Sequence, residues 1–222
     1  VSTLIGGLAQ TFGNFTWNCT GQTAGISLLN DVVVQGDYQL TSTGTGYLRN
    51  STTGAGAYSI VVAGDSIQTG GDARISDAAA TGNSIEVTGN FLLSGGTFYV
   101  SFGTGGGVLD VDGELDISGG TFVGTNNSGA VTINVGDFDF NTAGTVNLKT
   151  GTGTGAVTVN ISGNYTQSAG TAFNVRSNAT STSTINLTGN FSTSGGTFNM
   201  SSGGVGILNV GGDFTATAGT IT

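Results

Sequence analysis

A short motif returns along this chain every 23 to 28 residues: glycine, then Asn, Asp or Glu, then usually an aromatic or aliphatic residue. The copies begin at Gly13, Gly36, Gly64, Gly89, Gly113, Gly136, Gly163, Gly189 and Gly212. From Gly89 onward a Gly-Thr pair follows seven or eight residues later, at Gly96-Thr97, Gly120-Thr121, Gly144-Thr145, Gly170-Thr171, Gly196-Thr197 and Gly219-Thr220. A period of this length marks an array whose units bury their apolar sides only against their neighbours.

One unit, Ile85 to Val108, shows what each repeat builds. Ile85 and Val87 alternate with Glu86 and Thr88, the two-residue period of a strand. Gly89-Asn90 reads as a corner in which both residues tolerate left-handed backbone angles. Phe91 and Leu93 then share a face, Ser94-Gly95-Gly96 turns again, and Phe98 and Val100 point inward. Three short strands and three corners per repeat predict one turn of a β-helix. Helical spacing is nowhere sustained, and glycine interrupts every candidate helix. The expectation is an all-β, right-handed parallel β-helix (β-solenoid) of about nine coils over residues 1–222. Residues 1–60 form less regular N-terminal coils and 61–222 the regular repeats. At ~4.8 Å per coil the rod is roughly 40 Å long.

Aligned copies give two inward columns. One holds Phe15, Tyr38, Phe91, Leu115, Phe138, Tyr165, Phe191 and Phe214, with Ser66 in the third copy. The other holds Phe98, Phe122, Val146, Phe173, Phe198 and Ile221. Stacked rings in these columns are expected to supply much of the burial energy. The residues after the marker glycines (Asn14, Asp37, Asp65, Asn90, Glu114, Asp137, Asn164, Asn190 and Asp213) read as turn formers and a side-chain ladder, with a cation-binding edge as the sharper alternative.

Composition fits this picture. Glycine is 42 of 222 residues, yet 36% of the chain is hydrophobic and recurs in alternation, unlike disordered glycine-rich chains. Proline is absent, as expected where every strand is paired on both sides. Thirteen acids against four bases (Arg49, Arg74, Lys149, Arg176) give a net charge of −9. No basic patch exists to bind nucleic acid, and no apolar run approaches the ~18 residues that membrane insertion needs. Cys19 stands alone, without an internal disulfide framework. The sequence starts at Val1 without a recognisable signal peptide, as expected of a processed or excised segment, and its last residues fall within a coil. The expectation is a segment of a longer array, or a protomer whose ends are covered end to end by copies.

Histidine is absent, so no Ser-His-Asp, Cys-His or His-metal site is available. Asp110, Asp112, Glu114 and Asp116 alternate with apolar residues, so that most would share one side, and Asp137 and Asp139 follow on the next coil. Three readings stay open: a glycosidase pair, a Ca²⁺ site, or a solvated acidic stripe. No Trp, Arg or His lies nearby to hold sugar, and no glycine-rich Ca²⁺ nonapeptide occurs, which favours the stripe. The tract Thr150–Gly155 lacks the Gly-Lys-Ser/Thr of a phosphate loop and reads as a corner. Thr-x-Asn recurs at Thr145-Val146-Asn147 and Thr197-Phe198-Asn199, the kind of array that binds ice. Its outer column (Tyr99, Val123, Asn147, Asn174, Asn199) is ragged.

The unit (I/L)xVxGNFxxSGGTFxxSxGxG, shown by Ile85–Gly105 and nearly repeated by Ile185–Gly206, resembles repeats of very large cell-surface and secreted proteins of Bacteroidetes-type bacteria. The resemblance covers residues 60 to 222 and implies adhesins and surface fibres, often exported by the type IX route and sometimes linked to gliding motility. The architecture is also similar to autotransporter passengers and filamentous haemagglutinins. No catalytic residue carries over. The chain is expected to be a non-catalytic stalk or fibre segment, extracellular and without a resident cofactor. A lateral face that binds surface glycans or ice is the alternative.

Overall fold

The computed structural model describes residues 3–4, 8–51, 56–169, 172–175, 181–200 and 205–222, with only the backbone for 3–4. Gly170-Thr171, Arg176 and the last part of the second long repeat, 201–204, lie outside the described residues. The fold is an all-β parallel solenoid of about eight turns, with no helix among the described residues.

Each full turn passes through three strands that pair only with the equivalent strands one turn away. The first sheet stacks Ser59–Val62, Asn83–Val87, Val157–Ile161, Thr182–Leu187 and Val205–Val210 with the leading halves of Gly107–Ile117 and Val131–Phe140. The second carries Phe91–Leu93, Tyr165–Gln167 and the trailing halves of those two long strands. The third runs through Thr97–Ser101, Thr121–Thr125 and Thr145–Lys149. The less regular beginning joins the same sheets: Phe15 pairs with Tyr38, and Tyr38 with Ser66.

Register makes the inward columns continuous. On the second sheet, Ser66 pairs with Phe91, Phe91 with Leu115, Leu115 with Phe138, Phe138 with Tyr165, Tyr165 with Phe191 and Phe191 with Phe214. On the third, Phe98 pairs with Phe122, Phe122 with Val146, Val146 with Phe173, Phe173 with Phe198 and Phe198 with Ile221. Rings of one column stack or tilt from turn to turn, and rings of the two columns meet edge to face, both within a turn and across turns. Phe173 and Phe198 lie 5.1 Å apart at 21°, whereas Phe191 and Phe198 lie 4.9 Å apart at 79°. Both arrangements suit the quadrupole of an aromatic ring. Where Ser66 and Ala73 replace rings, a void of about 10 Å³ opens between Tyr38 and Phe91.

The two glycine marks have different causes. The glycine of the Gly-Thr pair is left-handed at Gly96 (φ 78°), Gly120 (φ 66°), Gly196 (φ 70°) and Gly219 (φ 88°), whereas Gly144 has no positive φ. The motif glycine is not left-handed. Neither Gly89 nor Asn90 has positive φ, which corrects the expected left-handed corner there. A Cβ on Gly89 would instead fall 2.4 Å from Asp65 Oδ1 and 2.6 Å from the Gly64 carbonyl. Close approach of the preceding turn, not backbone angle, requires the motif glycine from Gly36 onward.

Candidate functional site

The side chain after each motif glycine ties one turn to the next. Asn14, Asp37, Asp65, Asn90, Asp137, Asn164 and Asn190 each use Oδ1 to accept the backbone N–H of the corresponding residue one turn on, at 2.6 to 3.0 Å. These side chains satisfy corner donors that the strands cannot reach. Among the described residues Glu114 is the one interior member whose side chain makes no such bond.

The six acids considered for Ca²⁺ do not share a side. A register shift between Val111 and Glu114 turns the chain through a corner inside one long strand. Asp110 lies on the outer face of the first sheet, paired with Glu86 and Asn134. Asp112 and Glu114 flank the corner glycine, and Glu114 pairs with Asp137. Asp116 pairs with Asp139 on the outer face of the second sheet. Asp116 Oδ1 and Asp139 Oδ1 are buried atoms without a hydrogen-bond partner, while Asp139 Oδ2 accepts from Asn141 Nδ2 at 2.8 Å. Desolvation, then the Asp139 charge, pushes the Asp116 carboxyl above its ordinary range. Desolvation, then Asp139, Asp116 and Asp137, does the same to Glu114. No three acidic side chains among the described residues converge as a metal-holding group, whereas calcium takes six to eight oxygens.

A second cluster had no sequence signal beyond the presence of arginine. Arg49 Nε donates to Ser27 Oγ at 2.8 Å, and its guanidinium pairs with Asp77. Arg74 donates to both oxygens of Asp72 at 2.9 Å. Its guanidinium lies 3.8 Å from the Tyr47 ring centroid and 3.6 Å from that of Phe102. Two arginines thus neutralise two aspartates, and both guanidiniums are nearly buried. This arrangement braces the irregular early turns rather than offering a free cation. Lys149, fully buried, ends an in-register series running Ser76, Ser101, Thr125, Lys149, whose side chains donate to corner carbonyls.

The regular outer surface lies on the first sheet. Thr132 pairs with Thr158 and Thr158 with Thr184; two residues on, Asn134 pairs with Asn160, Asn160 with Asn186 and Asn186 with Asn209. The amides form a ladder: Asn160, Asn186 and Asn209 each donate Nδ2 to the Oδ1 of the asparagine one turn earlier, at 2.8, 2.9 and 2.8 Å. Beside the ladder runs an open trough of about 330 Å³, walled by the amides on one side and by Gly136, Ser162 and Thr188 on the other, with Asp110 and Asp112 at one end. Among the described residues the ragged third-sheet column has one such rung, Asn174 Nδ2 to Asn147 Oδ1 at 2.8 Å. The first-sheet array was legible as Thr132-Ile133-Asn134, Thr158-Val159-Asn160 and Thr184-Ile185-Asn186. Its offset from the motif glycine changes by one residue at Gly136, which hides it when copies are aligned on that glycine.

Compared with family models, curated proteins and solved structures, the chain matches none.

Proposed function

We propose that this chain is a rigid structural segment, a stalk or fibre portion of a bacterial cell-surface adhesin or extracellular filament, acting through length and stiffness rather than catalysis. The observation that carries the reading is continuity. Backbone pairing and the inward columns run along the axis from turn to turn, and Asx rungs join the described turns except between Glu114 and Asp137. In such an array, length scales with the number of turns and each interface adds its own stability. The repeat's resemblance to surface-protein repeats supports an extracellular setting.

The partners of this reading are neighbouring turns, from the same chain or from copies stacked end to end. Phe214 and Ile221 carry both inward columns to the last turn, where they are 52% and 41% exposed. Unpaired strand edges together with apolar surface favour stacking. Negative-stain microscopy of the purified chain, with and without EDTA, tests this. Straight rods or filaments of uniform width are expected. Compact or irregular particles would overturn the stalk reading, and filaments lost in EDTA would add a cation to it.

A further inference from the structure

We propose that the trough beside the Asn134–Asn160–Asn186 ladder is a binding site for an uncharged polysaccharide chain lying along the solenoid axis. The ladder fixes the amides. Asn160 and Asn186 each spend one N–H and one oxygen lone pair on neighbouring rungs, and each keeps one donor and one acceptor for a ligand. That pair repeats once per turn, about every 4.8 Å. Ser162 and Thr188 add hydroxyls on the opposite wall.

The ligand must therefore offer a donor and an acceptor at a regular interval comparable to one turn. A chain of sugar rings, bearing hydroxyls that both donate and accept, meets this requirement. An extended peptide does not, because strand addition needs free backbone edges and the lateral face has spent its backbone groups on pairing between turns. An anionic polymer is disfavoured as well: no lysine or arginine lines the trough, and Asp110 and Asp112 stand at its end. The walled shape suits a linear chain better than a flat plane of ice. Preset rungs lower the ordering cost of binding.

The proposal is independent of the stalk reading, since rods seen by microscopy neither require nor exclude it. Affinity electrophoresis in native gels tests it, using soluble neutral polysaccharides (a β-glucan, a xylan and a mannan) with polygalacturonate as the anionic control. Retardation is expected in at least one neutral gel and not in polygalacturonate. The double variant Asn160→Leu/Asn186→Leu is expected to weaken binding at least tenfold. Ser162→Trp, which fills the trough and spares the ladder, serves if the double variant fails to fold by circular dichroism. Asn147→Leu, on the third sheet, is expected to bind as the unaltered protein does. Absence of retardation in every neutral gel would overturn the proposal. So would unchanged retardation of a folded trough variant, or thermal hysteresis in freezing solutions without retardation, which would assign the face to ice.

Discussion

Asn90 Oδ1 accepts the backbone N–H of Glu114 from the next turn at 2.9 Å, but Glu114 passes no such bond on to Asp137. The extra methylene of glutamate carries its carboxylate past the corner, and desolvation there already disfavours its charge. Replacing Glu114 with Asn restores the rung and removes a charge. A net hydrogen bond contributes about 1 kcal/mol. We expect Glu114→Asn to be more stable by about that amount in urea unfolding at neutral pH, and Asn164→Ala to be less stable by a similar amount.

Gly89→Ala places a methyl against the Asp65 carboxylate and the Gly64 carbonyl, both under 3 Å away. Because one of these is backbone, relief requires the turns to part. Overpacking of this kind costs about 1–3 kcal/mol. The loss should be visible as a lower urea midpoint with an unchanged slope; a neutral Gly89→Ala would refute close approach as the reason for the motif glycine.

Ring position along the axis sets its worth. Phe198, 1% exposed, packs against Tyr165, Phe173 and Phe191. Phe198→Ala should cost roughly 3–5 kcal/mol. Phe214 lies 4.6 Å from Phe191 and nearly parallel to it, yet is half exposed. Phe214→Ala should cost less than half as much in dilute solution, and should shorten or abolish any end-to-end assemblies seen by microscopy.

Asp116 faces Asp139 across one turn with unpartnered buried oxygens. Its raised carboxyl pKa means the folded protein holds the proton more tightly than the unfolded chain. Stability from this group is therefore largest below the unfolded value near 4 and declines as pH rises through the folded value. Asp116→Asn should flatten that decline. It should also stabilise at pH 7 by roughly 0.2–1 kcal/mol, the scale of a like-charge pair directly opposite in a sheet. With no three acids converging as a metal-holding group among the described residues, millimolar Ca²⁺ should move the melting temperature of the unaltered protein by no more than about 2–4 °C, the shift that 1 kcal/mol produces in a chain of this size. A larger, EDTA-reversible rise would establish a cation between the turns.

Much of the candidate site was out of reach of sequence reasoning, for reasons visible in particular residues. The alternation Asp110, Asp112, Glu114, Asp116 reads as one acidic side, but the corner at Gly113 places Asp110 on one sheet and Asp116 on another. Arg74 reads only as one of four bases; the fold alone brings the Tyr47 and Phe102 rings against its guanidinium. Read from sequence alone, the Thr-x-Asn array falls on the third sheet, where Val123 and Tyr99 interrupt it. The uninterrupted array lies on the first.

The sequence by itself determined the turn: its length, its three strands, its inward columns and the absence of helix. Inward positions are read directly because burial acts on each strand with a fixed period of two, and a repeated Phe or Val at one offset can only stack on its equivalent. Tertiary structure alone decided which outward residues become neighbours. Those contacts depend on how each corner, varying by a residue or more from copy to copy, sets the register of the next strand. That register turned four scattered asparagines into a hydrogen-bonded ladder and six clustered acids into separate groups on different faces.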